Sequence, residues 1–482
     1  MGKIGLILFL IALCASNVRS QNYHAIQGSP YAGSLGIHNN PASALTAPYS
    51  WDLSIFGIQG KASTNAVKVY KYSIFSSPKN SEYLFTDGLF NRYGDLSGNL
   101  NLLNARIGLD RENAISFGMN IRSISNVNTT KYYFIDTPQY INNFLAQNEQ
   151  NQPLGLRTVT SSWLELYGSY ARTIIDNEFG RLNAGITIRL SRGLSGAHGS
   201  LEDGRYSRIS SPDPASYLIE GGELRYGYSS NYDRWEDEAS QSANIRNFVK
   251  TTLGGASIDL GVEWLVKTQE PATIAYDNYY DYDWKIGLSL LDFGVNQYKY
   301  GLESRYATNV VSGVTDQTIA EKFDSTTAHL PTFNDSLATI VETYAALNGQ
   351  FRIHNPTRIV LNVDRYIYDA FYINAELTIQ FANALKAKTR FAVKEINLLT
   401  IVPRWETRKL GFYLPFHINN NGKLWVGGAV KAGPVLFGFH NWAYLFSKQA
   451  IQNGGLYLAL TIRPSDALKS KYEKGMDCPR IR

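Results

Sequence analysis

The chain has 482 residues, 44% apolar and 13% aromatic with 32 Tyr, and a mean hydropathy of −0.22. A helical membrane protein is far more apolar, and no segment after residue 20 approaches the ~18 uninterrupted apolar residues of a spanning helix. The net charge of +5 is spread thinly, without the basic runs that grip nucleic acid, so nucleic acid is not an expected partner.

The first element is an export signal over residues 1–20. Lys3 supplies its positive end, and Ile4 to Ala15 form an apolar run too short to span a bilayer. Val18-Arg19-Ser20 places cleavage before Gln21. Cys14 raises a lipoprotein reading, but the preceding Leu13 is larger than lipid attachment wants. Cleavage leaves about 460 residues, normal for one large barrel. It also leaves Cys478 as the single cysteine, which excludes a disulfide framework and a multi-cysteine metal site.

From residue 51 the chain alternates. Leu182, Ala184, Ile186, Ile188 and Leu190 share one face of a strand, opposite Arg181, Asn183, Thr187 and Arg189. Ile115 to Arg122 and Leu102 to Leu109 repeat this, and a period of two is what a strand with one apolar face requires. The connections take turns between short and long. Short ones fall near Asp110–Asn113, Ile175–Glu178, Tyr368–Asp369, Pro403–Thr407 and Lys431–Pro434. Long ones fall near 67–99, 125–158, 192–254 and 299–355, with shorter outer ones near 383–388, 419–422 and 442–453. Transmembrane barrels show this asymmetry, with tight periplasmic turns and long outer loops. The expected strands are 51–65, 100–110, 114–124, 159–173, 179–191, 255–267, 283–297, 357–366, 371–382, 389–402, 409–418, 423–431, 435–441 and 454–463. The fold predicted is therefore all-β: an antiparallel transmembrane β-barrel of about fourteen strands over residues 51–464, exported to the outer membrane.

Within the long loops, 335–347 places Leu337, Ile340, Val341, Tyr344 and Leu347 on one stripe and predicts a short helix near the barrel mouth. The acidic stretch Asp277 to Asp283 lacks the spacing of a calcium loop. The seven His are scattered, with no metal-binding spacing, and no hydrolase elbow appears, so neither cofactor, metal nor enzymatic activity is expected. The alternation points Arg106, Arg122, Arg181 and Arg189 into the lumen with Glu165 between them, because charges facing lipid cost ~2–4 kcal/mol each at mid-depth. A salt-bridged wall and an anion site both fit that placement. Pro415 interrupts an otherwise regular strand, and without an N–H it is a candidate discontinuity in the wall, or else lies at the strand's outer end. The charged tail, 465–482, has no apolar face and is expected in the periplasm.

Between signal and first strand, the small-residue segment Ala32 to Leu45 carries Asn40-Pro41-Ala42. It resembles the N-terminal hatch of the FadL family of outer-membrane fatty-acid transporters, and the start of the related PorV-like secretion accessory barrels. Asp259-Leu260-Gly261-Val262-Glu263-Trp264 and Gly287 to Gly294 are most similar to uncharacterised Bacteroidetes outer-membrane barrels. The resemblance implies a fourteen-stranded barrel with residues 21–50 as a hatch inside it. It implies a transporter that binds or passes a hydrophobic or amphipathic small molecule, with outer-membrane lipid around it. The alternative it implies is an accessory barrel that meets a surface or secretion protein partner.

Overall fold

The structure is a computed structural model that describes residues 23–464, except 72–80, 138–139, 211–214, 237, 267–281, 325–326, 328, 382–390, 421 and 443–449. The signal, most of Asp277–Asp283, Cys478 and the tail 465–482 lie outside the described residues.

Fourteen antiparallel strands close into a barrel. They are β1 (Trp51–Thr64), β2 (Gly88–Gly108), β3 (Asn113–Phe134), β4 (Leu154–Asp176), β5 (Gly180–Ser210), β6 (Gly254–Val266), β7 (Trp284–Lys299), β8 (Arg358–Tyr368), β9 (Phe371–Gln380) and β10 (Leu398–Glu406). β11 is split into Leu410–Tyr413 and Phe416–Asn419, and β12 into Leu424–Val426 and Gly428–Ala432; β13 (Val435–Phe439) and β14 (Asn453–Ile462) follow. Each strand pairs with the next, and β1 closes the ring against β14 from Leu53↔Ile462 to Ser63↔Asn453. Closure leaves the wall no unpaired edge, which is the condition for a sheet to cross a bilayer.

The alternation sets two opposite surfaces. On β5, Ile188 and Leu190 face outward, 56% and 64% exposed, while Thr187 and Arg189 point inward and are buried. Large apolar residues cover the outside of every long strand, and charged and amide side chains fill the inside. That arrangement inverts a soluble protein, and it places the wall in a bilayer.

Several elements differ from the sequence expectations. β2 to β5 run well beyond the bilayer, so much of 67–99, 125–158 and 192–254 is strand rather than loop. The outer half of β5 pairs with Ser216–Tyr228, which pairs with Arg305–Val310, which pairs with Val341–Ala346. The expected helix at 335–347 is half right: Leu330–Ala338 is helical, then Val341–Ala346 is strand. Leu337 and Ile340 are buried with Ala307 and Val314 in an outer-layer cluster. The tenth strand is Leu398–Glu406, so Pro403 lies inside it, and the turn follows at 407–409.

Candidate functional site

Residues 23–49 lie inside the barrel, folded as three short 3-10 turns, His24–Ile26, Gly33–His38 and Pro41–Leu45. Asn40 caps the third: its side-chain oxygen accepts from the Ala42 N–H at 3.0 Å, and its amide donates to the Val262 carbonyl of β6 at 3.0 Å. Pro41 follows at the first position, where its missing N–H costs nothing. The wall makes room for this turn with glycine. A Cβ on Gly185 would lie 2.5 Å from the Pro41 carbonyl carbon, and one on Gly261 would lie 2.1 Å from the Asn40 oxygen. Gly33, at φ +57°, lets the chain press against the Asp52 carboxylate, which accepts from the Ser34 N–H at 2.6 Å. The remaining ties reach most of the way round the wall. Ser29 donates to Glu406, Asn39 to Glu376 and Lys285 to the Gly28 carbonyl. Arg106 pairs with Asp52 at 2.7 Å and donates to the Ala44 and Tyr49 carbonyls.

Around this segment the inward charges pair with one another. Arg122 on β3 bonds Asp292 on β7 and lies 3.5 Å from Glu165 on β4. Arg189 on β5 bonds Glu165 at 2.7 Å and Asp259 on β6 at 2.6 Å. Arg358 on β8 completes the chain by donating to Asp292. One network therefore joins six consecutive strands. Asp292 reaches it through a β-bulge: the register slips between Leu290 and Phe293, and Asp292 takes a φ of +56°. A second network joins Asp364, Arg404, Glu406 and Lys431 across β8, β10 and β12, with Arg404 bidentate on Asp364 at 2.6 and 2.9 Å. Burial, then the neighbouring Arg189 guanidinium, lowers the pKa of His38 in the N-terminal segment to about 3. The ring is therefore neutral and can accept from Arg189 across 3.4 Å.

The lumen is also crossed from the outer side. Between β9 and β10, Lys394 exchanges two hydrogen bonds with Asn126 on the opposite wall, and Glu395 pairs with Lys61 of β1 at 3.2 Å. Phe391 and Val393 pack with Trp163, Tyr298, Phe351 and Ile353.

The candidate residues fall as follows. Arg122, Glu165 and Arg189 are inward and buried in the first network, Arg106 is inward and buried against Asp52, and Asn40, Pro41 and Ala42 sit against β5 and β6. Arg181 is half-buried at the short-turn end of β5. Their partners Asp259, Asp292 and Arg358 were not singled out, although Asp259 and Asp292 lie in the two short motifs quoted above. Period-two faces alone would have pointed to Asp259; the bulge hides Asp292.

Pro415 divides β11 in mid-strand, facing inward. The break is bridged on both sides: the Leu414 N–H donates to the Pro403 carbonyl at 3.2 Å, and the Gly427 N–H to the Pro415 carbonyl at 2.7 Å. Trp442 then lies over Gly428 on the outer surface, its indole N–H on the Gly427 carbonyl. Outside these interruptions is a groove of about 710 Å³ in the lipid-facing surface of β8 to β13, lined by Ile373, Trp405, Phe412, Leu414, Phe437 and Trp442 among others.

The family of unknown function DUF5723 matches residues 41–440, and the chain belongs to it. No curated protein matches the chain. Among solved structures, it is similar to the toluene transporter TodX of P. putida, with 10% identity over 90% of this chain and 95% of that one and a TM-score of 0.41. It is similar also to a FadL homologue of Pseudomonas aeruginosa, with 9% identity over 93% and 98% of the two chains and a TM-score of 0.41.

Proposed function

We propose that this member of DUF5723 is an outer-membrane barrel that binds a hydrophobic or amphipathic small molecule at its wall and exchanges it sideways with the bilayer, without enzymatic chemistry. The observation that carries the reading is the apolar groove over β8 to β13. It opens to lipid where two prolines, Pro403 and Pro415, thin the backbone ladder. The lumen inside it is lined with paired charges and occupied by residues 23–49, which act as a hatch and suit an apolar cargo poorly. A cavity of several hundred Å³ with mainly apolar lining is of the size that holds a small ligand. Binding is tested on the folded protein in detergent with a fluorescent fatty acid and with an aromatic hydrocarbon. Trp405 and Trp442 line the groove, so a brominated fatty acid should quench them, and Phe412→Ser should weaken binding. Absence of quenching, or quenching unchanged in Phe412→Ser, ends this reading.

A second reading, an accessory barrel for a surface or secretion assembly, is favoured by the ordered outer layer. β5 alone is 31 residues long, and three further strands extend its sheet. Co-purification after crosslinking on whole cells separates the two: a scaffold brings a partner in defined ratio, and a solitary carrier does not.

A further inference from the structure

Three of the seven histidines meet inside the barrel. His24 comes from the first turn of the N-terminal segment, His417 from β11, and His440 from the chain just past β13. All three are at most 1% exposed. Their ring centroids are 5.1 Å (24–417), 5.2 Å (24–440) and 5.9 Å (417–440) apart. Each ring has one nitrogen near a side-chain partner. His24 Nδ1 lies 3.1 Å from the Gln27 oxygen, His417 Nδ1 3.1 Å from the Thr400 hydroxyl, and His440 Nε2 3.5 Å from the Gln59 amide. The other nitrogen of each, His24 Nε2, His417 Nε2 and His440 Nδ1, is buried without a hydrogen-bond partner.

We propose that His24, His417 and His440 form a site for a late first-row divalent cation such as Zn²⁺, tying the N-terminal segment to the wall. Imidazole is the ligand such cations favour, and a ligating His usually gives its second nitrogen to a polar neighbour, the role of Gln27, Thr400 and Gln59 here. The spacing fits: with Zn–N near 2.1 Å each ring centroid lies roughly 3.2 Å from the metal, which separates the rings by about 5.2 Å at tetrahedral angles and about 5.5 Å at trigonal ones. As the rings stand, no three donors converge into a metal centre among the described residues. Turning an imidazole about its Cβ–Cγ bond swings its nitrogens but leaves its centroid nearly in place, so binding requires the rings to turn from the orientation in which they now meet Gln27, Thr400 and Gln59. Turning the Gln59 amide end for end puts its oxygen on His440 Nε2 and leaves Nδ1 with its lone pair. The opposing charge nearby is Lys61, which Glu395 holds at 3.2 Å.

The test uses the full folded protein in detergent, stripped by chelator and titrated with Zn²⁺ and, separately, Mg²⁺ by calorimetry. One Zn²⁺ per chain and no Mg²⁺ binding are expected, with His417→Gln and His440→Gln each weakening Zn²⁺ by at least about tenfold. The heat-modifiable gel mobility of each variant checks its fold. A stripped wild type that takes up no Zn²⁺, or folded variants that bind as tightly as wild type, overturns the proposal. Should neither variant fold, the visible spectrum of Co²⁺-loaded wild type decides. Intense tetrahedral bands support the site, and weak octahedral bands or none overturn it.

Discussion

The two halves of the wall are built differently. β1 to β7 run from 13 to 31 residues, and four of them continue far outside the membrane. In β8 to β14 no strand exceeds 11 residues, two are split, and β13 has only 5. In the long half, the ladder itself supplies most of the order, and the network of Arg122, Glu165, Arg189, Asp259 and Asp292 sits on it, reaching β8 only through Arg358. In the short half there are fewer backbone bonds, and side-chain ties to the N-terminal segment add to them. Glu376, Glu406 and the two wall histidines all meet the N-terminal segment there. The same half carries the groove. Thinning a ladder makes a wall deformable, and deformability is what a sideways exchange of cargo requires.

The largest expected effect tests this contrast on buried charge. Asp292→Ala strips a carboxylate from both Arg122 and Arg358, and leaving buried charge unpaired costs about 3–5 kcal/mol. Asp364→Ala does the same to Arg404 in the short half, and should cost less because its surroundings can relax. Urea unfolding of the detergent-folded protein measures both, and equal losses would erase the contrast.

Next come charges placed on the lipid face. Ile188→Arg on β5 should cost ~2–4 kcal/mol, the price of a cation at mid-depth. Phe412→Arg should cost less, since the groove gives its long stem a path along apolar surface toward the rim. Folding yields into vesicles of increasing thickness would reveal the difference, and a Phe412→Arg more damaging than Ile188→Arg would count against a yielding wall.

Asn40→Ala should lose about 1 kcal/mol through the missing cap on the third turn. The loss should appear as faster proteolysis of the N-terminal segment with the barrel itself intact. If the whole barrel melts together, the segment is part of the wall's own cooperative unit.

The smallest effect belongs to Pro415→Ala. The Gly427 carbonyl already accepts the Trp442 indole, so the new N–H gains little. A stability change under about 1 kcal/mol is expected. Slower exchange of a bound apolar probe, at unchanged stability, would tie Pro415 to the wall's yielding; an unchanged rate would separate the two.

Strand number and facing were legible in the sequence because a strand between lipid and a polar interior must alternate, and residues such as Ile186 to Leu190 record that alternation one by one. Tight turns at Asp110 and Tyr368 were legible for the same reason: the pattern stops there. The outer ends of β2 to β5 were not, since beyond the bilayer no apolar face is demanded and polar strands read as loops. The stripe at 335–347 misled, because Leu337 and Ile340 meet in one cluster although the chain turns from helix to strand between them. Thr339, Ile340 and Val341 are β-branched and favour that change.

Tertiary structure alone decided the rest. Which carboxylate each inward arginine meets depends on barrel closure, which sets β3 across from β7, and on one bulge that turns Asp292 inward. The glycines that admit Asn40 and Pro41 are meaningful only once β5 and β6 are packed against them. His24, His417 and His440 have no sequence spacing in common. They meet because the chain's first turn inside the barrel lies against its eleventh strand and the end of its thirteenth, a contact that periodicity cannot encode and only the closed ring creates.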